Sequence, residues 1–264
     1  MLSDEFNQGG SPPIVKVNCN TKIQERKKEF KLFSEQVKMV AHRGFSCMEA
    51  ENSAAAFVAA GNRTHFGVET DVHVTADGEL ILIHDNQTGR VAGDDVCVEQ
   101  TTFATLRALR LMDKDGVRRG DLCLPTLREY ISICKKYGKT CVLELKDHFK
   151  PAYVAKVIDT FKEMEWLQNA VFISFDLPNM ICIREMLPEQ KAQFLISDYP
   201  DWLEDTLVKY HLDLDIKYTQ LTKERMDALH QKGIQVNAWT VDQPEDAQRL
   251  IDWGIDYITS NRLE

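Results

Sequence analysis

Short apolar runs alternate with longer amphipathic segments along most of the chain. The runs are rich in β-branched residues and have the length of buried strands. The predicted strands cover 38–42, 67–74, 79–84, 140–146, 170–175, 191–197, 213–218, 234–240 and 255–259. The segments between them carry helical periodicity and predict helices over 53–62, 126–137, 151–166, 178–187, 201–210, 222–232 and 244–253.

Repeated strand–helix units predict parallel strands joined by right-handed crossovers. Asp77-Gly78 is a turn signal, so 67–74 and 79–84 are expected to form a hairpin and to count as one extended unit. Eight strand units then remain, which favours a closed (β/α)8 TIM barrel of the α/β class over an open doubly wound sheet. No GxGxxG motif follows the first run, which also disfavours a dinucleotide-binding sheet.

Two segments stand outside this alternation. Residues 1–37 are predicted to be a polar lead-in followed by a charged helix from about residue 21, which would cover a gap in the helical ring or close the barrel floor. Residues 86–123 form a long insertion that includes one short predicted helix in "TTFATLRALRL". The predicted organisation is therefore a lead-in and helix over 1–37 and a barrel over 38–264, interrupted at about 86–123.

Composition narrows the classes of function. The 264 residues are 44% hydrophobic and 28% charged, and their net charge of −9 argues against a general nucleic-acid binder. A small anionic substrate held by a local cation stays compatible with that charge. No apolar run approaches the ~18 residues of a transmembrane helix, and the N-terminus does not resemble a signal peptide. Seven cysteines without a CxxC pair predict reduced thiols in a cytoplasmic protein.

Polar side chains mark the points where several apolar runs end. These positions carry His42-Arg43, Glu69 and Asp71, His84-Asp85, Glu144 and Lys146, and Trp239. In a barrel the carboxyl ends of the strands share one rim, and barrel enzymes carry their chemistry there. We therefore expect these side chains to meet although they are far apart in sequence.

Spacing within the runs predicts a metal site. Glu69 and Asp71 are two residues apart and point to the same side of a strand, and Glu144 and Lys146 repeat the arrangement. Three converging carboxylates repel one another unless a cation neutralises them. Their hard oxygen donors suit Mg²⁺, Ca²⁺ or Mn²⁺ rather than a structural zinc ion. His73 continues the same face and could be a ligand, but packing within the hairpin is the favoured interpretation.

Each residue taken alone also has a structural interpretation. A carboxylate at a strand end commonly caps a loop, and a single histidine there commonly forms one hydrogen bond. Trp239 alone fits core or rim packing, and Lys146 could simply pair with Glu144. Complementary side chains at five strand ends together favour an active site over these separate explanations.

The order of motifs closely resembles the glycerophosphodiester phosphodiesterase family. The chain reads "AHRG", "ENSAAAFVAAG" and "GVETDVHVTADGELILIHD", followed by "LPTLREY", "VLELKD", "ISFD" and "VNAWTVD". The resemblance covers about residues 38–261. Two departures concern loop shape and the last rim position: Ala50 stands where the family often has Pro, and Thr259-Ser260-Asn261-Arg262 stands where many members read T-D-x-P.

The resemblance implies a TIM barrel that hydrolyses glycerophosphodiesters, such as glycerophosphocholine or glycerophosphoethanolamine, to glycerol 3-phosphate and an alcohol. It implies one divalent cation, Mg²⁺ or Ca²⁺ with Mn²⁺ as an alternative, and an insertion between the second strand unit and its helix. The implied roles are general acid and base for His42 and His84, metal ligands for Glu69, Asp71 and Glu144, phosphate contacts for Arg43 and Lys146, and a pocket wall for Trp239.

Two other functions fit parts of the pattern. A phospholipase D that cleaves lysophospholipids would need an apolar groove, lined by Phe45, Phe175 or the insertion. A non-catalytic barrel could bind a phosphorylated ligand, but no expected catalytic or metal-binding residue is missing. Lyases of the sphingomyelinase D type share a similar barrel, and their secretion and disulfide bonds set them apart from this chain.

Overall fold

The computed structural model describes Phe33, Gln36 and residues 37–264. The strands of this part are β1 (Lys38–Ala41), β2 (Gly67–Val74), β3 (Leu80–Leu82), β4 (Thr140–Leu145), β5 (Ala170–Ser174), β6 (Ala192–Ile196), β7 (Asp213–Lys217), β8 (Val236–Trp239) and β9 (Tyr257–Ser260). The helices are α1 (Ala54–Gly61), α2 (Gly89–Ala92), α3 (Phe103–Ala108), α4 (Leu127–Tyr137), α5 (Pro151–Glu163), α6 (Leu177–Met186), α7 (Leu203–Tyr210), α8 (Lys223–Gln231) and α9 (Pro244–Asp252). Short 3₁₀ turns span Val98–Gln100, Leu167–Asn169 and Tyr218–Gln220.

Eight parallel strands close into a barrel, in the order β1-β2-β4-β5-β6-β7-β8-β9. The ring closes because β1 pairs with β2 on one side, at Val40 opposite Gly67, and with β9 on the other, at Lys38 opposite Tyr257. Closure leaves the ring without an open edge. Strand β3 lies outside the ring as an antiparallel partner of β2. The predicted TIM barrel and its hairpin are both confirmed.

Local sequence explains why the helices begin and end where they do. Thr126 and Glu129 form a capping box at the start of α4, and Gly138 ends that helix in the left-handed conformation. Proline occupies the first turn of α5, α6 and α9, where its missing N–H costs little. The predicted elements differ from the observed ones by a few residues at their ends. Helix α2 escaped prediction because four residues are too few to show a helical period.

The residues between β3 and α4 form a small second core beside the barrel. Ile81 and Ile83 pack there with residues of the inserted segment, including Val98, Leu106 and Leu122. Helix α3 lies within the stretch predicted to be helical. This packing holds the inserted segment against the hairpin side of the rim. Its limits at about 86–123, and the division of the chain at residue 38, stay predictions.

The predicted N-terminal helix over 21–37 falls largely outside the described residues. Phe33 and Gln36 are helical, and Phe33 and Val37 are buried in the main core. Its proposed place at the barrel floor stays a prediction. Within the described residues, no helix has the length and apolar character needed to cross a bilayer.

Candidate active site

The predicted site residues lie at the carboxyl ends of the barrel strands. His42 directly follows β1, Glu69 and Asp71 lie on β2, and His84 follows β3 by two residues. Glu144 lies on β4 with Lys146 just beyond it, and Trp239 is the last residue of β8. Parallel pairing of the barrel strands, with the antiparallel return of β3, therefore brings residues from five strands or strand ends to one rim.

Glu69, Asp71 and Glu144 form a buried group that we term the carboxylate cluster. One oxygen from each lies within 4.8 Å of the others. The pairing of β2 with β4 explains the proximity, since Asp71 lies opposite Glu144 in the strand register. The side chains are buried, at 3%, 1% and 6% exposure respectively. The strand register thus brings three acidic side chains together in a buried environment.

The charges of the carboxylate cluster are poorly compensated. Burial, with repulsion from Asp71 and Glu144, raises the pKa of Glu69 well above its usual range. Burial and Asp71 likewise raise the pKa of Glu144 to about 8. The pKa of Asp71 is lowered instead, because the attraction of Lys146, His84 and Arg43 outweighs the cost of its burial. A divalent cation would supply the positive charge that these carboxylates lack.

The donor atoms of the carboxylate cluster fit a hard divalent cation. Asp71 Oδ1 is buried and accepts no hydrogen bond from any residue that the structure describes. Its nearest cationic partner is Lys146 Nζ, at 3.6 Å, whereas the same Nζ lies 2.9 Å from Glu144 Oε1. A buried acceptor without a donor is costly unless another group satisfies it. Carboxylate oxygens in this number are the ligands that Mg²⁺, Ca²⁺ and Mn²⁺ prefer.

Arg43 connects the cluster to a surface network of charges. Its backbone N–H donates to Glu69 Oε2 at 2.7 Å, and its Nη1 donates to Glu51 Oε1 at 2.9 Å. Its Nε lies 3.9 Å from Asp71 Oδ2. The backbone turns sharply here, with φ of 55° at Arg43 and 76° at Gly44. A Cβ at Gly44 would lie 2.7 Å from Ala56, so α1 itself requires glycine at this turn.

His42 is held by an amide from the opposite end of the chain. Its Nδ1 lies 2.8 Å from Asn261 Oδ1. Asp242 fixes that amide by accepting from its backbone N–H at 2.8 Å and from its Nδ2 at 2.7 Å. An amide oxygen only accepts, so Nδ1 carries the proton and Nε2 keeps a free lone pair. Burial and the charge of Arg43 lower the pKa of His42 to about 4.

His84 is held by a carboxylate. Its Nδ1 lies 2.6 Å from Asp85 Oδ1. Arg90 donates to the other oxygen of Asp85 at 2.5 Å and makes two further bonds to Glu51, both at 2.8 Å. Burial would raise the pKa of Asp85, but the hydrogen bonds from Arg90 and His84 lower it to about 2. Both histidines therefore have one nitrogen occupied and the other available.

Several supporting residues were not predicted from the sequence. Asn52 donates to Asp71 Oδ2 at 2.7 Å and accepts from Thr70 Oγ1 at 2.6 Å. The neighbouring Ser53 is the cap of α1, and its side chain accepts from the backbone N–H of Ala56. Asn261 was noticed only as a departure from the family pattern. Asn261 directly follows β9, and that position is the signal that could have found it.

Trp239 lines the rim together with an exposed aromatic ring. The ring centroids of Trp239 and Phe175 are 5.7 Å apart, and the two ring planes meet at 84°. Phe175 is 45% exposed, so this pair offers an apolar face at the site. The expectation that Phe45 could line a groove is wrong. Phe45 is buried at 4% exposure and packs in the core against His65 and Arg63.

Comparisons with known proteins give a family match and related sequences. The model of the Glycerophosphoryl diester phosphodiesterase family matches residues 42–264. A Glycerophosphodiester phosphodiesterase of Caldanaerobacter subterraneus subsp. tengcongensis is 27% identical over 235 residues, which cover 86% of this chain and 94% of that protein.

Solved structures show the same architecture. A phosphodiesterase of Oleispira antarctica, solved with its product sn-glycerol-3-phosphate, superposes with a TM-score of 0.80 at 24% identity. The match covers 88% of this chain and 95% of that one. A glycerophosphodiester phosphodiesterase of Parabacteroides distasonis superposes with a TM-score of 0.71 at 28% identity, over 86% of this chain and 93% of that one.

Proposed function

Because this chain belongs to the glycerophosphoryl diester phosphodiesterase family, we propose that it hydrolyses glycerophosphodiesters to glycerol 3-phosphate and an alcohol. Glycerophosphocholine and glycerophosphoethanolamine are the expected substrates. One observation carries the proposal. His42 and His84 lie at the rim that holds the carboxylate cluster, and each has Nδ1 in a hydrogen bond and Nε2 available. Acid, base and cation-binding groups are what cleavage of a phosphodiester needs.

The proposed cofactor is one divalent cation, Mg²⁺ or Ca²⁺ with Mn²⁺ as an alternative, held by Glu69, Asp71 and Glu144. When bound, such an ion acts as a Lewis acid that stabilises negative charge on a phosphoryl oxygen. The orphaned Asp71 Oδ1 and the raised pKa values of Glu69 and Glu144 support this assignment. Arg43 and Lys146 would add positive charge beside the same phosphate.

The two histidines would share the proton transfers. His42, with its pKa lowered to about 4, is neutral at pH 7 and suits the general base, which removes a proton from the nucleophile. We assign the general acid to the second histidine, His84, whose Nδ1 is held by the Asp85 carboxylate and whose Nε2 is available to the leaving group. The P–O bond to the head-group alcohol breaks as His84 gives its proton to that oxygen.

The nucleophile is water or the glycerol 2-hydroxyl of the substrate. Attack by water yields glycerol 3-phosphate directly. Attack by the 2-hydroxyl forms a cyclic phosphate, which water then opens with the histidines exchanging roles. In the first step of both routes the proton lost by the nucleophile would be taken up at Nε2 of His42, whose Nδ1 is fixed by Asn261.

A phospholipase D activity on lysophospholipids is the second candidate. The exposed ring of Phe175, which packs on Trp239, supports it because an acyl chain needs apolar surface near the phosphate. Trp239 would form one wall of the substrate pocket in either function.

A substrate panel distinguishes the candidates. Purified full chain would be assayed with glycerophosphocholine and with lysophosphatidylcholine, each with Mg²⁺, Ca²⁺, Mn²⁺ or chelator. We expect kcat/KM to be at least tenfold higher for glycerophosphocholine and to require a divalent cation. A preference for lysophosphatidylcholine would favour the second candidate. Tight binding of glycerol 3-phosphate without turnover of either substrate would indicate a binding protein.

A further inference from the structure

A second group of ligand-type side chains lies at the rim, and we term it the mixed cluster. It consists of His73, Glu99 and Asp147, of which one ring nitrogen and two carboxylate oxygens lie within 4.8 Å of one another. His73 lies on β2, Glu99 in the 3₁₀ turn of the inserted segment and Asp147 in the loop after β4. The mixed cluster shares no residue with the carboxylate cluster.

His73 has a nitrogen without a partner. The side chain is fully buried, and its Nε2 lies 3.3 Å from the backbone oxygen of His84. A carbonyl only accepts, so Nε2 carries the proton and Nδ1 keeps its lone pair. Among the described residues, Nδ1 is buried and has no hydrogen-bond partner. Histidines that bind metals characteristically donate one N–H to such an acceptor and present the other nitrogen to the ion.

Among the described residues, neither carboxylate of the mixed cluster forms an ion pair. Within the described rim, Lys146 pairs with Asp71 and Glu144, and Arg90 pairs with Glu51 and Asp85. Asp147 accepts one hydrogen bond, from Asn86 Nδ2 at 2.8 Å on Oδ2. Two exposed like charges thus lie beside the buried His73 imidazole, and in the part of the chain that the structure describes neither of them is neutralised by an ion pair.

We propose that the mixed cluster is a second divalent-cation site, and that it takes Zn²⁺ or a similar first-row transition metal ion. One imidazole nitrogen with two carboxylate oxygens suits such an ion better than Mg²⁺ or Ca²⁺, which prefer oxygen donors alone. Bonds of about 2.0–2.2 Å place two ligands of one ion at most about 4.4 Å apart. Small rotations of the exposed Glu99 and Asp147 side chains suffice to reach that spacing.

An ion at this place would connect three parts of the fold. Glu99 would tie the inserted segment to β2 through His73 and to the loop after β4 through Asp147. His73 would remain bonded to the backbone of His84, so occupancy would also steady the chain beside that histidine. A bound ion would therefore hold the inserted segment in place at the rim.

Calorimetric titration of the full chain with Zn²⁺, in saturating Mg²⁺, tests the proposal. We expect one Zn²⁺ site whose affinity falls at least tenfold in Glu99→Gln and in Asp147→Asn. Glu185→Gln, an exposed carboxylate on α6, is the matched control and should bind as the unaltered protein does. Unchanged affinity in both cluster variants, or absence of Zn²⁺ binding, would overturn the proposal.

Glu69→Gln separates this site from the carboxylate cluster. That variant should keep the Zn²⁺ affinity, and its loss there would assign the ion to the carboxylate cluster instead. Hydrogen exchange of the amides of residues 96–101 gives a second measure. Zn²⁺ should slow their exchange in the unaltered protein and in Glu185→Gln and have no effect in Asp147→Asn. Equal slowing in all three would contradict the assignment.

Discussion

His42 and Asn261 meet across 219 residues of sequence, with Nδ1 of the imidazole 2.8 Å from Oδ1 of the amide. Asp242 accepts two hydrogen bonds from Asn261 and thereby holds the amide that anchors the ring. This contact determines which nitrogen of His42 is free to accept a proton. It makes Asn261 a positioning residue for the proposed base.

Replacing Asn261 with alanine should lower kcat more than it changes KM. The ring of His42 would lose its anchor, and small misplacements of a catalytic group cost up to about 10²-fold in rate. Arg262→Ala, at the exposed neighbouring position, is the control and should keep its activity. Steady-state kinetics on glycerophosphocholine with both variants checks this. A rise in KM with unaltered kcat would show that Asn261 serves substrate binding instead.

The acid and base roles can be separated with an activated leaving group. His84→Ala should lose about 10²–10⁴-fold in kcat on glycerophosphocholine, which needs a proton on its departing alkoxide. Its loss should be much smaller on a p-nitrophenyl ester of glycerol 3-phosphate, because p-nitrophenolate leaves without protonation. His42→Ala should be impaired on both substrates. The reverse pattern would exchange the two roles.

The stability of metal-free protein should fall as the pH rises. The pKa values of Glu69 and Glu144 are raised in the folded chain, to about 8 for Glu144, so their stabilising contribution is present below the unfolded values near ~4.3 and is lost as the pH rises through the folded ones. We expect the Tm of chelated protein to decrease from about pH 5 to pH 8, less steeply in Glu144→Gln, and to recover with Mg²⁺. Parallel Tm profiles for the two chelated proteins would contradict this.

Asp215 offers a stability test away from the rim. It is buried on β7, its Oδ1 has no hydrogen-bond partner among the described residues, and burial raises its pKa well above the usual range. The folded protein therefore loses stability as the pH rises above the unfolded value of ~3.9. Asp215→Asn removes the ionisation and should raise the free energy of unfolding at pH 8 by about 1–3 kcal/mol.

Urea unfolding at pH 4 and pH 8 measures the effect of Asp215→Asn. Its gain should shrink at pH 4, where the native aspartic acid is already neutral. The exposed Asp201→Asn should show no such difference. A destabilisation of Asp215→Asn at both values would mean that Asp215 is needed as a carboxylate.

Strand and helix patterning was enough to predict the barrel, because each apolar run is short and most helices begin at a capping side chain or a proline. The rim followed from one topological rule, since parallel strands bring their carboxyl ends together. Contacts made by loop residues could not be predicted in this way. In the sequence, Asn261 and Asp242 are ordinary polar loop residues, and only the closed barrel brings them to His42. Asn52 lies beside the cap of a helix and has the residue type of a cap itself.

The same limit applies to packing. Phe45 directly follows the turn at Gly44 and could have faced solvent or core, and only the tertiary fold settles that it is buried. From the alternation of side chains along β2, His73 could be explained by packing within the hairpin. Its unpaired nitrogen becomes visible only when Glu99, from the inserted segment, and Asp147 come to lie beside it.

Release of glycerol 3-phosphate from glycerophosphocholine tests the central claim most directly. The full chain would be assayed after exhaustive chelation, after return of Mg²⁺ or Ca²⁺, and as the Asp71→Asn variant. We predict turnover with the cation, loss of about 10³-fold or more without it, and a comparable loss in the variant at any cation concentration that restores the unaltered protein. Undiminished turnover after chelation, or in Asp71→Asn, would contradict the account.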